Sequence, residues 1–295
     1  AHAGIKPGDK IIKINGEMMD APILDDVLKK LRGPVGSKVE ITIYRQETQQ
    51  YITLELTREQ INIQSVTKSE IIKDTSIGYI RLSKFKEKTA SEVSDALKEL
   101  EKQNIKGLIL DLRNNTGGLL DESIKLAGLF VGPEKLVVYT KGRLPEQNLN
   151  KYSDKTYARI NYPLAVLING GSASASEVVA GAIQDHKTGT IIGENSFGKA
   201  SVQSLIPLKD GSALRLTTAW YYTPNGRLIH NKGIEPDIKV NLTKEDLNII
   251  IQKLNQVNIG ELSVNDPLYV DNQVQWAIDF LKKCEQDNIQ ETTSK

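Results

Sequence analysis

A chain of 295 residues is long enough for more than one core, and 39% apolar with 25% charged side chains excludes a disordered or membrane-embedded class. Its 38 basic and 37 acidic side chains leave a formal net charge of +1, which provides no electrostatic footprint for nucleic acid or an anionic membrane surface. One cysteine, Cys284, excludes an internal disulfide and a cysteine-rich metal site, and no apolar run approaches the roughly 18–20 residues of a spanning helix.

Gly4-Ile5-Lys6-Pro7-Gly8-Asp9 reads as a turn, followed by a strand from Lys10 that closes in an Asn15-Gly16 turn. Asp25 to Leu31 places Val27, Leu28 and Leu31 on one face of a short helix. Lys38 to Tyr44 and Tyr51 to Leu56 then alternate as half-buried strands. Ala3 to Asp9 with Ile14-Asn15-Gly16, a helix and two strands resemble the second half of a bacterial PDZ domain. The resemblance implies that a peptide C-terminus adds as a strand beside the helix, with Asp25, Leu28 and Leu31 as substrate-binding positions. The strand and carboxylate loop that precede Ala3 in that family are missing, so the expectation is an N-terminally truncated domain that binds tails poorly. Any targeting segment is expected upstream of Ala1, which falls inside this unit. A generic small β domain is the alternative.

Ile61 to Ile72 reads as a connector or short strand, and Ile77 to Leu82 as a buried strand. Thr89 to Gln103 carries Val93, Ala96, Leu97 and Leu100 at helical spacing, and Gly107 to Leu112 is a short apolar run of the buried-strand kind. Strand, helix, strand predicts a parallel crossover. The pattern continues with a helix over Glu122 to Leu129, a strand over Leu136 to Tyr139, a polar stretch from Lys141 to Lys155, a strand over Leu164 to Ile168, a helix over Ser174 to Asp185 and a strand over Gly189 to Ile192. An α/β core is the reading. Gln203 to Leu208 and Ala213 to Tyr222 are β-rich, and Lys244 to Leu254 and Val270 to Lys283 look helical. Trp276, Ile278 and Leu281 are expected on one face of the last helix, packed on the core, and Glu285 to Lys295 is expected to fray.

Three segments carry residue types suited to chemistry. The strand Leu164 to Asn169 runs into Gly170-Gly171-Ser172-Ala173-Ser174-Ala175-Ser176-Glu177 and on into a helix. A serine at such a strand-to-helix turn exposes its oxygen beside free helix N–H groups; the plain alternative is an N-cap serine with Glu177 completing a capping box. Gly193 to Gln203 is a loop with glycines around Lys199, and a lysine serves a serine as base where burial favours its neutral form. Phe197 and Val202 are expected to supply that burial; a surface lysine is the alternative. Asp111-Leu112-Arg113-Asn114-Asn115-Thr116-Gly117-Gly118 ends another buried strand, where a Gly-Gly turn can present oxyanion donors.

In this order and behind a PDZ-like half, these three segments resemble the motifs of the C-terminal processing (tail-specific) peptidases, Ser/Lys-dyad serine proteases. Lys232-Gly233-Ile234-Glu235-Pro236-Asp237 resembles that family's closing segment. The resemblance implies Ser174 as nucleophile, Lys199 as general base, Gln203 as the residue that orients the lysine, and the backbone N–H groups of Gly118 and Ala175 as oxyanion donors. It implies a ClpP/crotonase-like α/β core, a partial PDZ domain over 1–57, a peptidase core over 58–243 and a helical C-terminal segment over 244–295. Acyl-enzyme chemistry on protein substrates with flexible C-terminal tails, no cofactor and an extracytoplasmic setting, the bacterial periplasm or cell envelope, come with it; homo-oligomerisation is left open. A latent or inactive peptide-binding fragment of the same fold is the rival reading. His186 and Asp185 offer a Ser-His-Asp alternative, but a helix rising about 1.5 Å per residue separates them from Ser174, and His2 and His230 read as structural or surface residues.

Overall fold

The computed structural model describes residues 3–6, 8–19, 23–59, 64–156, 160–242, 263–265 and 271–293. His2 and the helix expected over Lys244 to Leu254 lie outside them. The chain divides into two compact units, Ala1–Ile63 and Gln64–Lys295.

The first unit is an antiparallel sheet in the order β2-β1-β3-β4, formed by β1 (Lys10–Ile14), β2 (Glu17–Met18), β3 (Lys38–Arg45) and β4 (Gln50–Thr57), with helix α1 (Leu24–Leu31) between β2 and β3. Asn15 and Gly16 both take positive φ, 49° and 80°, as a tight hairpin turn requires. Alternation along β3 sends Val39, Ile41 and Ile43 into a core shared with Ile14, against which Val27 and Leu31 of α1 pack. An Arg45 fork closes the unit: Nε and Nη2 donate to the two oxygens of Asp9 at 2.9 and 2.7 Å. That hydrogen-bonded guanidinium holds the Asp9 carboxyl down at about 2.

The second unit contains β5 (Val66–Ile71), β6 (Ile77–Leu82), α2 (Thr89–Glu101), β7 (Gly107–Asp111), α3 (Leu120–Val131), β8 (Leu136–Gly142), β9 (Asn150–Tyr152), β10 (Leu164–Ile168), α4 (Ala175–Asp185), β11 (Thr190–Gly193), β12 (Ser201–Pro207), β13 (Ala213–Tyr222), β14 (Ile238–Lys239) and α5 (Asn272–Thr293). Six of the strands form one sheet, β14-β11-β10-β7-β6-β5, parallel except for the antiparallel edge strand β5. Both faces of that sheet are covered, which is why β7 and β10 are apolar without alternation. Leu108, Leu110, Val166 and Ile168 point to the side of α2, α3 and α4, while Ile109, Ala165 and Leu167 point to the side of α5.

The strand Leu136 to Tyr139 departs from the sequence expectation. It belongs to a separate antiparallel sheet, β12-β13-β8-β9, and β7 pairs directly with β10. The helix α5 buries Val274, Ala277, Ile278 and Leu281, an i, i+3, i+4, i+7 stripe, but leaves Trp276 55% exposed, so tryptophan is not on the packed face. The segment expected to fray beyond Glu285 continues as helix to Thr293. Among the described residues no helix is long and apolar enough to cross a membrane.

Candidate active site

Strands β7, β10 and β11 are neighbours, so the loops leaving their C-terminal ends meet at one edge of the sheet, where parallel α/β folds place their sites. The turn from β10 to α4 is stitched to the loop after β7. Asn169 Oδ1 accepts from the N–H groups of Asn114 and Gly171 at 2.9 and 3.0 Å, and the Ala173 N–H donates to Asn115 O at 3.0 Å.

Hydrogen bonding sorts the three serines of this turn. Ser172 is buried; its hydroxyl donates to Leu112 O at 2.9 Å and accepts from the Asn169 N–H at 3.0 Å. Ser176 is also buried and donates to Asn115 O at 2.8 Å. Ser174 is partly exposed, and its hydroxyl makes no cap bond to α4. Its backbone, at φ 57° and ψ −112°, lies where L residues rarely sit, the conformation of a sharp strand-to-helix elbow.

Gly117 and Gly118 pass close to that elbow. A methyl group on Gly117 would lie 2.9 Å from Ser174 Cβ and 2.8 Å from the Ala175 nitrogen; one on Gly118 would lie 1.9 Å from Phe85 O. The Phe85 N–H donates to Gly117 O and the Leu119 N–H to Phe85 O, which fixes the glycines as a short parallel bridge. Among the described residues the N–H groups of Gly118 and Ala175 find no acceptor; Ala175 follows Ser174 directly, and Gly118 follows the glycine that lies against Ser174.

The lysine loop is joined to the serine turn through Glu177. This glutamate is fully buried on the first turn of α4 and has no cationic partner at salt-bridge distance among the described residues. Instead it accepts four hydrogen bonds: Oε1 from Ser196 Oγ and the Gly198 N–H, both 2.6 Å, and Oε2 from the Lys199 N–H at 2.9 Å and the Ser174 N–H at 2.8 Å. The backbones of Ser174 and Lys199 are thereby held within two hydrogen-bond lengths of each other. The Ser174 N–H bond is the glutamate arm of the expected capping box, and the same acid also serves the lysine loop. Gly198 makes the loop fit, since its φ of 88° and its approach to the nitrogens of residues 231 to 233 leave no space for a side chain.

The expected burial of Lys199 is not found. Its side chain is exposed, Phe197 is 64% exposed because its own N–H is turned inward onto Ser172 O, and no hydrogen bond joins Lys199 Nζ to Ser174 Oγ among the described residues. Gln203, on β12, is exposed and makes no side-chain hydrogen bond among them. The backbones of Ser174 and Lys199 are thus joined through Glu177, with Gly117 against Ser174 and Ala175. Asp25, Leu28 and Leu31 belong to the first unit, where Leu31 packs on the core while Asp25 is exposed and Leu28 half-buried.

The histidines stand elsewhere. His186 caps the far end of α4 and its Nε2 lies 2.7 Å from Leu136 O; Asp185 pairs with Arg227. The His230 ring lies against Trp220, tilted by 40° with centroids 4.1 Å apart. Sequence reasoning missed the structural reach of Glu177, whose one signal was a lone acid in a run of small apolar residues, and of Arg113. At the end of β7, Asp111 is fully buried, which by itself would raise its carboxyl, but the Arg113 charge and hydrogen bonds prevail and hold it at about 2.

The family model described as peptidase family S41 matches residues 76–240, and a PDZ-domain model matches residues 1–45. The chain is 44% identical over 247 residues to a carboxy-terminal-processing protease of Bartonella bacilliformis, covering 81% of this chain and 55% of that protein. It is 38% identical over 273 residues to the carboxy-terminal processing protease CtpB of Bacillus subtilis, covering 91% and 54%. The chain therefore spans about half the length of the curated relatives it matches. Among solved structures, the photosystem II D1 C-terminal processing protease superposes with a TM-score of 0.55 at 31% identity, over 91% of this chain and 71% of that one. An S41 protease structure from Bacteroides fragilis, at 18% identity and a TM-score of 0.57 over 91% and 72%, shares the fold. Peptidase family S41 is the family to which this chain belongs.

Proposed function

We propose that the chain is the peptidase part of a serine endopeptidase that cleaves substrate proteins near flexible C-terminal tails through a Ser174–Lys199 dyad. The observation that carries this reading is the hydroxyl of Ser174, which has no hydrogen-bond partner among the described residues and sits at a strained elbow. Its two neighbours spend theirs on the fold, and one buried carboxylate ties its backbone to that of Lys199. Lys199 Nζ takes the Ser174 proton. Oγ attacks the scissile carbonyl, and the oxyanion is received by the N–H groups of Gly118 and Ala175. The amine leaves with that proton, and water then releases the acyl group. Because the Lys199 backbone is already fixed, assembling the dyad needs a side-chain rotation and no loop movement. Gln203 is the partner we assign to the turned-in lysine. Asp25 and Leu28 remain the positions for a bound tail, Leu31 being occupied in the core. An extracytoplasmic setting goes with this reading.

Cleavage of a flexible peptide with a free apolar C-terminus, followed by mass spectrometry, tests it. Activity is expected to vanish in Ser174→Ala and Lys199→Ala and to persist in Ser172→Ala and His186→Ala. Loss with His186 and retention without Lys199 overturns the dyad.

A further inference from the structure

Arg113 opens the loop that carries Gly118, and its guanidinium is committed in two directions. Toward β7, Nε donates to Asp111 Oδ1 at 2.9 Å and Nη2 to Oδ2 at 2.6 Å. The Arg113 N–H adds a bond to Oδ1 at 2.9 Å, and the Tyr79 hydroxyl one to Oδ2 at 2.7 Å. Toward α5, Nη1 lies 2.7 Å from Asp271 Oδ2 and donates to Gln273 Oε1 at 2.9 Å. Gln273 is fully buried and its Nε2 donates to Val240 O at 2.7 Å. The other oxygen of Asp271 caps α5, accepting from the N–H groups of Gln273 and Val274.

We infer that the start of α5 is part of the catalytic apparatus: Asp271 and Gln273 clamp Arg113, a positioning residue that sets the loop bearing Gly118. The inference rests on the reading of Gly118 as an oxyanion donor. A planar guanidinium that must meet a carboxylate edge on one side and two acceptors on the other has one placement, so the Arg113 Cα is fixed where the loop departs. From there the loop is stiff. Asn115 Nδ2 donates to Leu82 O at 3.1 Å, Asn115 Oδ1 accepts from the Gly117 N–H at 2.9 Å, and Asn115 O accepts from Ser176 Oγ and the Ala173 N–H. A shift at Arg113 is therefore passed to Gly118. Docking of α5 does not require the clamp, since Val274, Ala277, Ile278 and Leu281 already bury an apolar stripe. A buried ion pair seldom outdoes apolar packing for stability. What the clamp adds is geometry, and it lies at the loop end of α5.

The test compares Asp271→Ala, Gln273→Ala and Asp271→Asn in the full chain. It uses steady-state peptide cleavage, titration of reactive Ser174 with a fluorophosphonate, and hydrogen–deuterium exchange of peptides covering 113–119. The alanine variants are expected to lose about tenfold in kcat with KM within about twofold, at an unchanged titratable fraction, and to exchange faster in 114–118 while β7 stays protected. Asp271→Asn, which keeps the cap and a neutral acceptor, is expected to recover part of kcat. Gln273→Ala leaves the Asp271 cap in place and keeps the test open if Asp271→Ala fails to fold. A folded variant with wild-type exchange across 114–118 overturns the clamp, as does a loss of rate explained wholly by fewer titratable sites. Exchange does not depend on the dyad: faster loop exchange in a chain lacking Ser174-dependent cleavage sinks the dyad and keeps the clamp.

Discussion

Glu177→Gln is the sharpest probe of how the site is held. The carboxylate collects four donors, whereas a carboxamide presents one acceptor oxygen and one NH2. With its oxygen toward Ser174 and Lys199, the amide keeps both N–H bonds and offers its NH2 to Ser196 Oγ, which already accepts from the Ile234 N–H at 2.6 Å and has a second lone pair. The Gly198 N–H is then buried without an acceptor. The flipped amide strands the N–H groups of both Ser174 and Lys199, so the first orientation is favoured. The Gly198 N–H and the Ser196 O–H both lose their acceptor at about 1–3 kcal/mol each and two bonds lose their charge assistance, which gives at least about 3 kcal/mol in all. Glu177→Ala orphans all four donors and costs about 4–12 kcal/mol, against a typical total stability of about 5–15 kcal/mol. Urea unfolding and the rate of Ser174 labelling by a fluorophosphonate read the two effects. Glu177→Gln is expected to fold, lose at least about 3 kcal/mol and label about tenfold more slowly to the same endpoint, while Glu177→Ala yields little labelled protein. Unfolding of Glu177→Gln at the wild-type midpoint would refute the four-bond account; a lowered midpoint with a wild-type labelling rate would refute the link between Glu177 and the site.

Three further outcomes follow from the geometry. Ser174→Gly and Ser174→Ala are both expected to be inactive. The glycine variant is expected to be more stable by about 1 kcal/mol in a denaturant titration, because relief of an elbow costing about 1–3 kcal/mol outweighs the entropy of glycine, about 0.5–1 kcal/mol. Gly118→Ala places a methyl group 1.9 Å from Phe85 O; the loop must move, and a fall in kcat of about 100-fold with little change in KM is expected in peptide cleavage. The Asp111 carboxyl is held at about 2 against an ordinary 3.8. A folded value below the unfolded one stabilises above the ordinary value and is lost on acidification, so roughly 2 kcal/mol should disappear between about pH 4 and pH 2. The double variant Asp111→Asn/Arg113→Gln, which removes both charges, flattens that part of an acid-unfolding series; an unchanged slope there counts against the assignment.

The α/β layer was legible because Gly107–Asp111 and Leu164–Ile168 are apolar on both faces, a pattern with one common solution, a strand covered on two sides. The position of Leu136–Gly142 was not legible, because local pattern identifies a strand and leaves its partner open; β13, far along the chain, takes it into another sheet. Local chemistry could not choose among Ser172, Ser174 and Ser176 either. Two of them are consumed by Leu112 O and Asn115 O, acceptors from a different strand's loop. The Arg113–Gln273 bond spans 160 residues and leaves no local signature at all.

Lys199 shows most clearly what neighbours in sequence fail to report. Phe197 lies two residues away in sequence but is turned outward, so it does not supply the apolar environment expected of it. On the dyad reading everything except one side chain is prebuilt: the elbow, the two free N–H groups and the lysine backbone. Ordering a lysine side chain costs up to about 2 kcal/mol of rotamer entropy. A bond to Ser174 Oγ, worth about 1 kcal/mol in water, does not cover that cost alone. On the dyad reading, a polypeptide lying over the exposed lysine confines its side chain and excludes water from the bond to the serine, so the substrate offsets that cost. The serine, on the same reading, stays unassisted until a polypeptide covers the lysine.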